Sequence, residues 1–223
     1  MRKVLILSFI IVTSFTVYSQ EWQLKKAQDH VRVYLEDTDN SVKAVKAEMT
    51  VTDTSIYALV NLLRDIDKVT SWMDSIEEVR LLQQEAEDTD IVATVLDVPW
   101  PFTDRIMVTR SRICIAGNTL IIQVNDALDV QIDNTEYIRM TEVTGRWQIT
   151  QLARDQTHIT YQGRGDPSGA IPNWLARSKL VHSTFKTFLQ LKQKIVATKY
   201  QGKPLGYELM NGSSACTLQD PQK

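Results

Sequence analysis

One long amphipathic segment near the C-terminus, preceded by a run of alternating ones, restricts this chain to few folds. After Pro167, Ser168 and Gly169, the stretch IPNWLARSKLVHSTFKTFLQLKQKI carries Trp174, Ser178, Val181, Phe185, Phe188 and Ile195 at spacings of three, four and seven, with Leu175 and Leu189 widening the stripe. That spacing predicts an amphipathic helix of about seven turns with one face on a neighbouring layer. Pro172 suits its first turn, where a missing N–H costs nothing. Upstream the period changes to two: HVRVYLED and VKAVKAEMTV read as half-buried strands, and further strands are expected near 76–83, 90–98, 105–115, 119–126, 136–150 and 157–163. Between the first pair and the rest, TDTSIYALVNLLRDI has the apolar spacing of a short helix. Two strands, a helix, about six mostly consecutive antiparallel strands and one long helix make an α+β pattern, a curled sheet closed by a helix.

A sheet bent around one helix encloses more volume than a helix face can fill, and the surplus is the kind of apolar pocket that takes small hydrophobic ligands. On one candidate wall, MVTRSRICI places Met107, Thr109, Ser111 and Ile113 on the same face, an apolar strip with two hydroxyls able to meet a ligand's polar end. The stretch DVPWPFTDR cannot continue a central strand, because two prolines flank its Trp. Val98 to Phe102 is therefore expected as a stiff loop, with Trp100, Pro101 and Phe102 serving as a plug or as a lid over the cavity.

The first nineteen residues read as an export signal. Arg2 and Lys3 precede the apolar run Val4 to Val17, and Val17-Tyr18-Ser19 suits cleavage before Gln20. The run is shorter than the ~20 residues of a permanent span. Removing it leaves residues 20–223, with 23 basic against 27 acidic: one domain, 20–200, followed by a polar tail, 201–223, expected to be mobile. A mildly acidic body without Lys/Arg clusters gives no footprint for nucleic acid. The two cysteines, Cys114 in a strand and Cys216 in the tail, allow a disulfide in an oxidising compartment, although a buried strand cysteine is more often a small hydrophobe. No C-x-x-C or His/Cys cluster is present, so neither a metal nor a cofactor is expected.

The order VPWPFTDR, a strand pair, YIRMTEVTGRWQI, then HITYQGRGDPSGAIPNWL and a long terminal helix resembles the START domain, the steroidogenic-acute-regulatory-protein-related lipid-transfer family, in its bacterial exported form. The resemblance runs from about Trp22 to Thr198. It implies a helix-grip fold, an antiparallel sheet wrapped around the C-terminal helix with a tunnel for one lipid or sterol-like molecule. It also implies a gate formed by Val98 to Thr103 and Pro172 to Ser178. Two departures stand out. Bacterial members often carry Pro-Gly-Gly where this chain has Pro167-Ser168-Gly169, tolerable if position 168 needs no positive φ. They also often carry an acidic residue where this chain has Ile106, so no salt bridge across the mouth is carried over, while Asp104 and Arg105 can pair locally.

The residues expected to bind ligand or gate the tunnel are Trp100, Pro101, Phe102, Arg105, Thr109, Ser111, Pro172, Trp174, Leu175, Ser178, Val181, His182 and Phe185. No catalytic residue is assigned. The expected function is binding, and transfer, of a lipid or sterol-like molecule, with transient membrane contact. The alternative is a helix-grip enzyme of cyclase or hydrolase type, which would need an acid or base aimed into the cavity, with His182, Asp104 and Glu142 as candidates.

Overall fold

The computed structural model describes residues 22–36, 42–133 and 136–204. The proposed export signal and the Cys216 end of the tail lie outside them. Ten strands form one sheet: β1 (Trp22–Gln28), β2 (Val31–Glu36), β3 (Lys43–Thr52), β4 (Ile76–Ala86), β5 (Thr89–Leu96), β6 (Arg105–Ala116), β7 (Thr119–Asp126), β8 (Ile138–Arg139), β9 (Thr141–Ala153) and β10 (Gln156–Asp166). The order across the sheet is β1-β2-β3-β10-β9-β7-β6-β5-β4, antiparallel throughout, with β8 pairing β6 in parallel. Two short helices, α1 (Ala58–Arg64) and α2 (Ile66–Val69), follow β3, and the long helix α3 (Asn173–Lys194) follows β10. The wrapped sheet and terminal helix are the expected α+β helix-grip arrangement.

Two strands escaped the sequence pattern. In β1, WQLKKAQ leaves Leu24 exposed and shows little alternation, because it is an edge strand with only β2 beside it. The segment expected as one strand over 136–150 is divided at Met140 into β8 and β9. Pro172 stands at the N-cap, one residue before the first turn, and its carbonyl accepts from the amides of Leu175 and Ala176 at 2.9 and 3.1 Å.

The main core gathers at one end of the molecule. Val31, Val33, Ala47, Met49, Leu59, Trp72, Leu120, Ile149 and Ile159 pack there against Phe188 and Leu191 of the C-terminal half of α3 and against Ile195 beyond it. On the outer face of β5 and β6 a smaller cluster of Ile91, Ala93, Val95, Ile106 and Val108 is covered by the segment after β7, with Val130, Ile132 and Tyr137. Arg139 pins that segment by donating to the carbonyls of Val130 and Ala127 at 2.9 and 2.8 Å.

The chain after α3 is docked as far as it is described. Ser55 donates through its amide to Gln201 Oε1 at 2.8 Å, and Asn61 donates to the carbonyls of Tyr200 and Gly202, both at 2.8 Å. The expectation of a mobile tail from Gln201 is therefore corrected for residues 201–204; the remainder lies outside the described residues. Cys114, buried on β6, is disulfide-bonded and not a free core thiol.

Candidate functional site

The sheet encloses a cavity of about 620 Å³ between its concave face and the N-terminal half of α3. Strand alternation decides the lining. From β6 come Met107, Thr109, Ser111 and Ile113; from β5, Asp90, Val92, Thr94 and Leu96; from β4, Ile76, Val79 and Leu81. Val69 and Met73 close it from the α2 side, and Trp147 and Tyr161 supply its aromatic wall from β9 and β10. On α3 the lining face is Leu175, Ala176, Lys179, Leu180, Ser183, Thr184, Thr187 and Phe188.

That face shares only Leu175 and Phe188 with the stripe the periodicity selected. Ser178, Val181 and His182 instead line a shallow cleft between α3 and the first two strands, with Lys25, Lys26, Leu35 and Arg177. Phe185 is buried under the Lys26 ammonium, 4.1 Å from its ring centre, and is not part of the cavity wall. Trp174 is 71% exposed. The physical reason is that the N-terminal half of α3 covers the cavity. Leu180 also packs against the main core, but most of the inward side chains face the cavity, so Lys179 and Thr184 are tolerated beside Leu175 and Leu180, and the stripe of largest residues misstates the helix's rotation.

Two elements meet at the mouth: the β5–β6 loop, Asp97 to Asp104, and the turn from β10 into α3. Asp97, Val98 and Pro99 contribute to the cavity, as do Pro167, Ile171 and Leu175. Trp100, joined to Pro101 by a cis peptide bond, is 92% exposed; Pro101 is exposed and Phe102 half-buried, and none of the three lines the cavity. The loop aromatics are thus neither a plug nor part of the wall, and Pro172 also lies outside it. Lys179 Nζ reaches Asp97 Oδ2 at 3.0 Å, joining helix to loop.

Arg105 fixes the two elements to each other. Its guanidinium, with the residue only 2% exposed, donates from Nε to the Pro167 carbonyl at 3.0 Å, from Nη2 to the Ser168 carbonyl at 2.9 Å, and from Nη1 to the Thr103 carbonyl. Burial pulls its pKa below the ordinary arginine range, while Asp104 beside it pulls the other way. The expected Asp104–Arg105 pair does not form: Asp104 Oδ1 accepts from the Val98 amide at 2.8 Å, capping the loop, while Arg105 turns inward. Ser168, gripped by its carbonyl, has φ of +55°, and Gly169 beside it +69°. The condition placed on the Pro-Ser-Gly departure is therefore not met: position 168 does take the left-handed conformation.

Two further ion pairs border the cavity, and Lys43 and Arg164 also line it. Arg64 meets Asp90 at 3.2 Å, and Lys186 meets Asp74 at 2.6 Å. Burial pushes the Asp74 carboxyl up, but hydrogen bonds from Lys186 and Ser75 outweigh it and hold the group below the usual carboxylate range. Of the acid–base candidates, His182 and Glu142 are exposed and Asp104 is engaged in the loop, and none lines the cavity. Among the described residues no group of three or more His, Cys, Asp or Glu is placed to hold a metal.

Sequence reasoning missed Trp147, Tyr161 and Gly163. The available signal was Y-x-G within HITYQGRG: on a strand, residues two apart share a face, and a glycine there marks a close approach.

A sheet gripping a terminal helix over an apolar cavity defines a small-molecule-binding class, and the comparisons make it specific. The START domain family profile matches residues 11–198, so the chain belongs to the START domain family. An uncharacterized protein of Pseudomonas aeruginosa is 29% identical over 201 residues, covering 86% of this chain and 97% of the relative. Among solved structures, the STAR-related lipid transfer protein of Xanthomonas axonopodis superposes with a TM-score of 0.70 at 23% identity, over 79% of this chain and 99% of that one. Human STARD10 superposes with a TM-score of 0.69 at 18% identity, over 80% of this chain and 74% of that one. These two likenesses establish the shared fold.

Proposed function

We propose that this protein is an exported carrier, periplasmic or secreted, that binds one lipid or sterol-like molecule in its cavity and moves it between membranes without chemistry. The observation that carries the reading is the cavity itself. At about 620 Å³ it lies within the ~300–1,000 Å³ of small-molecule sites, and its wall is mostly aliphatic and aromatic. Burying an apolar ligand there yields about 25 cal/mol per Å² removed from water. A carrier is favoured over an enzyme because the acid–base candidates stand outside the cavity or are held in its loop.

Trp100 and Trp174, the exposed aromatics of the two gate elements, support membrane contact, since indoles favour the boundary between apolar and wet surroundings. The disulfide at Cys114 supports an oxidising compartment. The test is native mass spectrometry of the mature protein from its own host, followed by organic extraction. One bound lipid per chain is expected, and a double Trp100→Ala, Trp174→Ala variant should release it to vesicles more slowly than the wild type. A purified protein that holds no lipid and whose mass no added lipid shifts would overturn the reading.

A further inference from the structure

Tyr161 is held in the cavity in an unusual way. Its ring leans along β10 over Gly163: a Cβ on Gly163 would lie 2.2 Å from the Tyr161 hydroxyl oxygen and 2.6 Å from Cζ. Only a residue without a side chain leaves the ring this position. Trp147, its cross-strand partner on β9, packs against it with ring centres 4.5 Å apart and is itself stacked on Phe188 of α3 at 5.7 Å. The ring is thus fixed by a glycine along its own strand and an aromatic pair beside it.

Tyr161 lines the cavity, and among the described residues its Oη makes no hydrogen bond. Burial alone pushes its pKa up to about 12, so the group keeps its proton, and no charged neighbour contributes to the shift. Across the sheet, Gly163 pairs with Gly145, Gly145 with Val124 and Val124 with Ser111. The Ser111 hydroxyl and that of Thr109, two residues before it, face the same cavity, again without a side-chain hydrogen bond among the described residues. A hydroxyl that faces the cavity without a protein partner is open to bond an acceptor on a ligand. Lys43, Arg164 and Lys179 also line the cavity, but the groups facing it across the sheet from Tyr161 are the neutral hydroxyls of Thr109 and Ser111, which suit an uncharged oxygen better than a carboxylate or phosphate.

We propose that the Tyr161 hydroxyl donates a hydrogen bond to an uncharged oxygen of the bound molecule, so that the ligand is a largely apolar compound carrying a ketone, ester or alcohol oxygen. This rests on the carrier reading. The test uses the neutral fluorophore N-phenylnaphthylamine, displaced in turn by a thirteen-carbon methyl ketone, the matching alkane and the matching fatty acid at neutral pH. In the wild type the ketone should bind about fivefold more tightly than the alkane, the scale of one neutral hydrogen bond. Tyr161→Phe should lose the preference for the ketone over the alkane, a ratio that stays readable whatever the variant does to overall affinity. Gly163→Ala, which displaces the ring, should lose it as well. A preference that survives in Tyr161→Phe, a wild type that treats ketone and alkane alike, or a fatty acid that binds more tightly than the ketone would each overturn the proposal while leaving the carrier reading intact. A wild type that takes up none of the probes would overturn both.

Discussion

At Ser168 the backbone carries strain that the side chain does not relieve. A non-glycine residue in the left-handed region costs roughly 1–2 kcal/mol, and Ser168 is held there because its carbonyl is an acceptor for Arg105 and its amide donates to Asp166 Oδ1 at 2.8 Å. Ser168→Gly is therefore expected to stabilise the protein by about 1 kcal/mol, part of the relief being offset by glycine's greater freedom when unfolded. For a domain of this size that is a rise in Tm of about 2–4 °C, measurable by thermal denaturation. The sequence showed that position 168 was a departure from its relatives' habit, and it named the right variable, the sign of φ. The value was not legible there, because it depends on a guanidinium from β6 as well as on Asp166 within the turn. Tyr161 and Gly163 illustrate the same limit: spacing puts them on one face, but only packing shows that the ring lies over the glycine.

At the scale of elements, α3 shows what periodicity can and cannot decide. Its extent and amphipathic character follow from the apolar spacing, whereas its rotation depends on what lies beneath it, and beneath its first half lies a cavity. On β6 the alternation of Met107, Thr109, Ser111 and Ile113 was sufficient, because a strand in a sheet has only two faces to offer. The helix is tied over the cavity by Lys186 and Thr187, which meet the Asp74 side chain and amide at 2.6 and 2.9 Å. Since the folded-state pKa of Asp74 is depressed, its contribution to stability is present above the unfolded value of about 4 and is lost as pH falls through the lower folded value. Acid should therefore lower Tm, and Asp74→Asn should flatten, without abolishing, that dependence between about pH 5 and pH 3. The residual slope belongs in part to Asp65, which hydrogen bonds from Lys199 and Tyr200 hold low. An unaltered pH profile in Asp74→Asn would contradict this account.

For the whole molecule, the architecture was legible because strand and helix periods alternate clearly over most of the chain. The strand that escaped, β1, is an edge on which Leu24 and Lys25 are exposed while Lys26 lies over Phe185; the charges guard the edge and erase the apolar alternation together. Packing is distributed unevenly along α3: its C-terminal half lies in the main core with β2, β3, β9 and β10, and its N-terminal half lies over the cavity with β4, β5 and β6. Amide hydrogen exchange should reflect this, with a bound lipid slowing exchange in β4, β5 and the first turns of α3 and leaving β1 and β2, which contribute nothing to the cavity wall, nearly unchanged. Uniform protection along the chain would argue against two such halves. The division also bears on the interval between one cargo and the next. In the proposed carrier, an unloaded chain lacks ligand contacts only along the cavity wall, while the core packed against the C-terminal half of α3 keeps the fold intact.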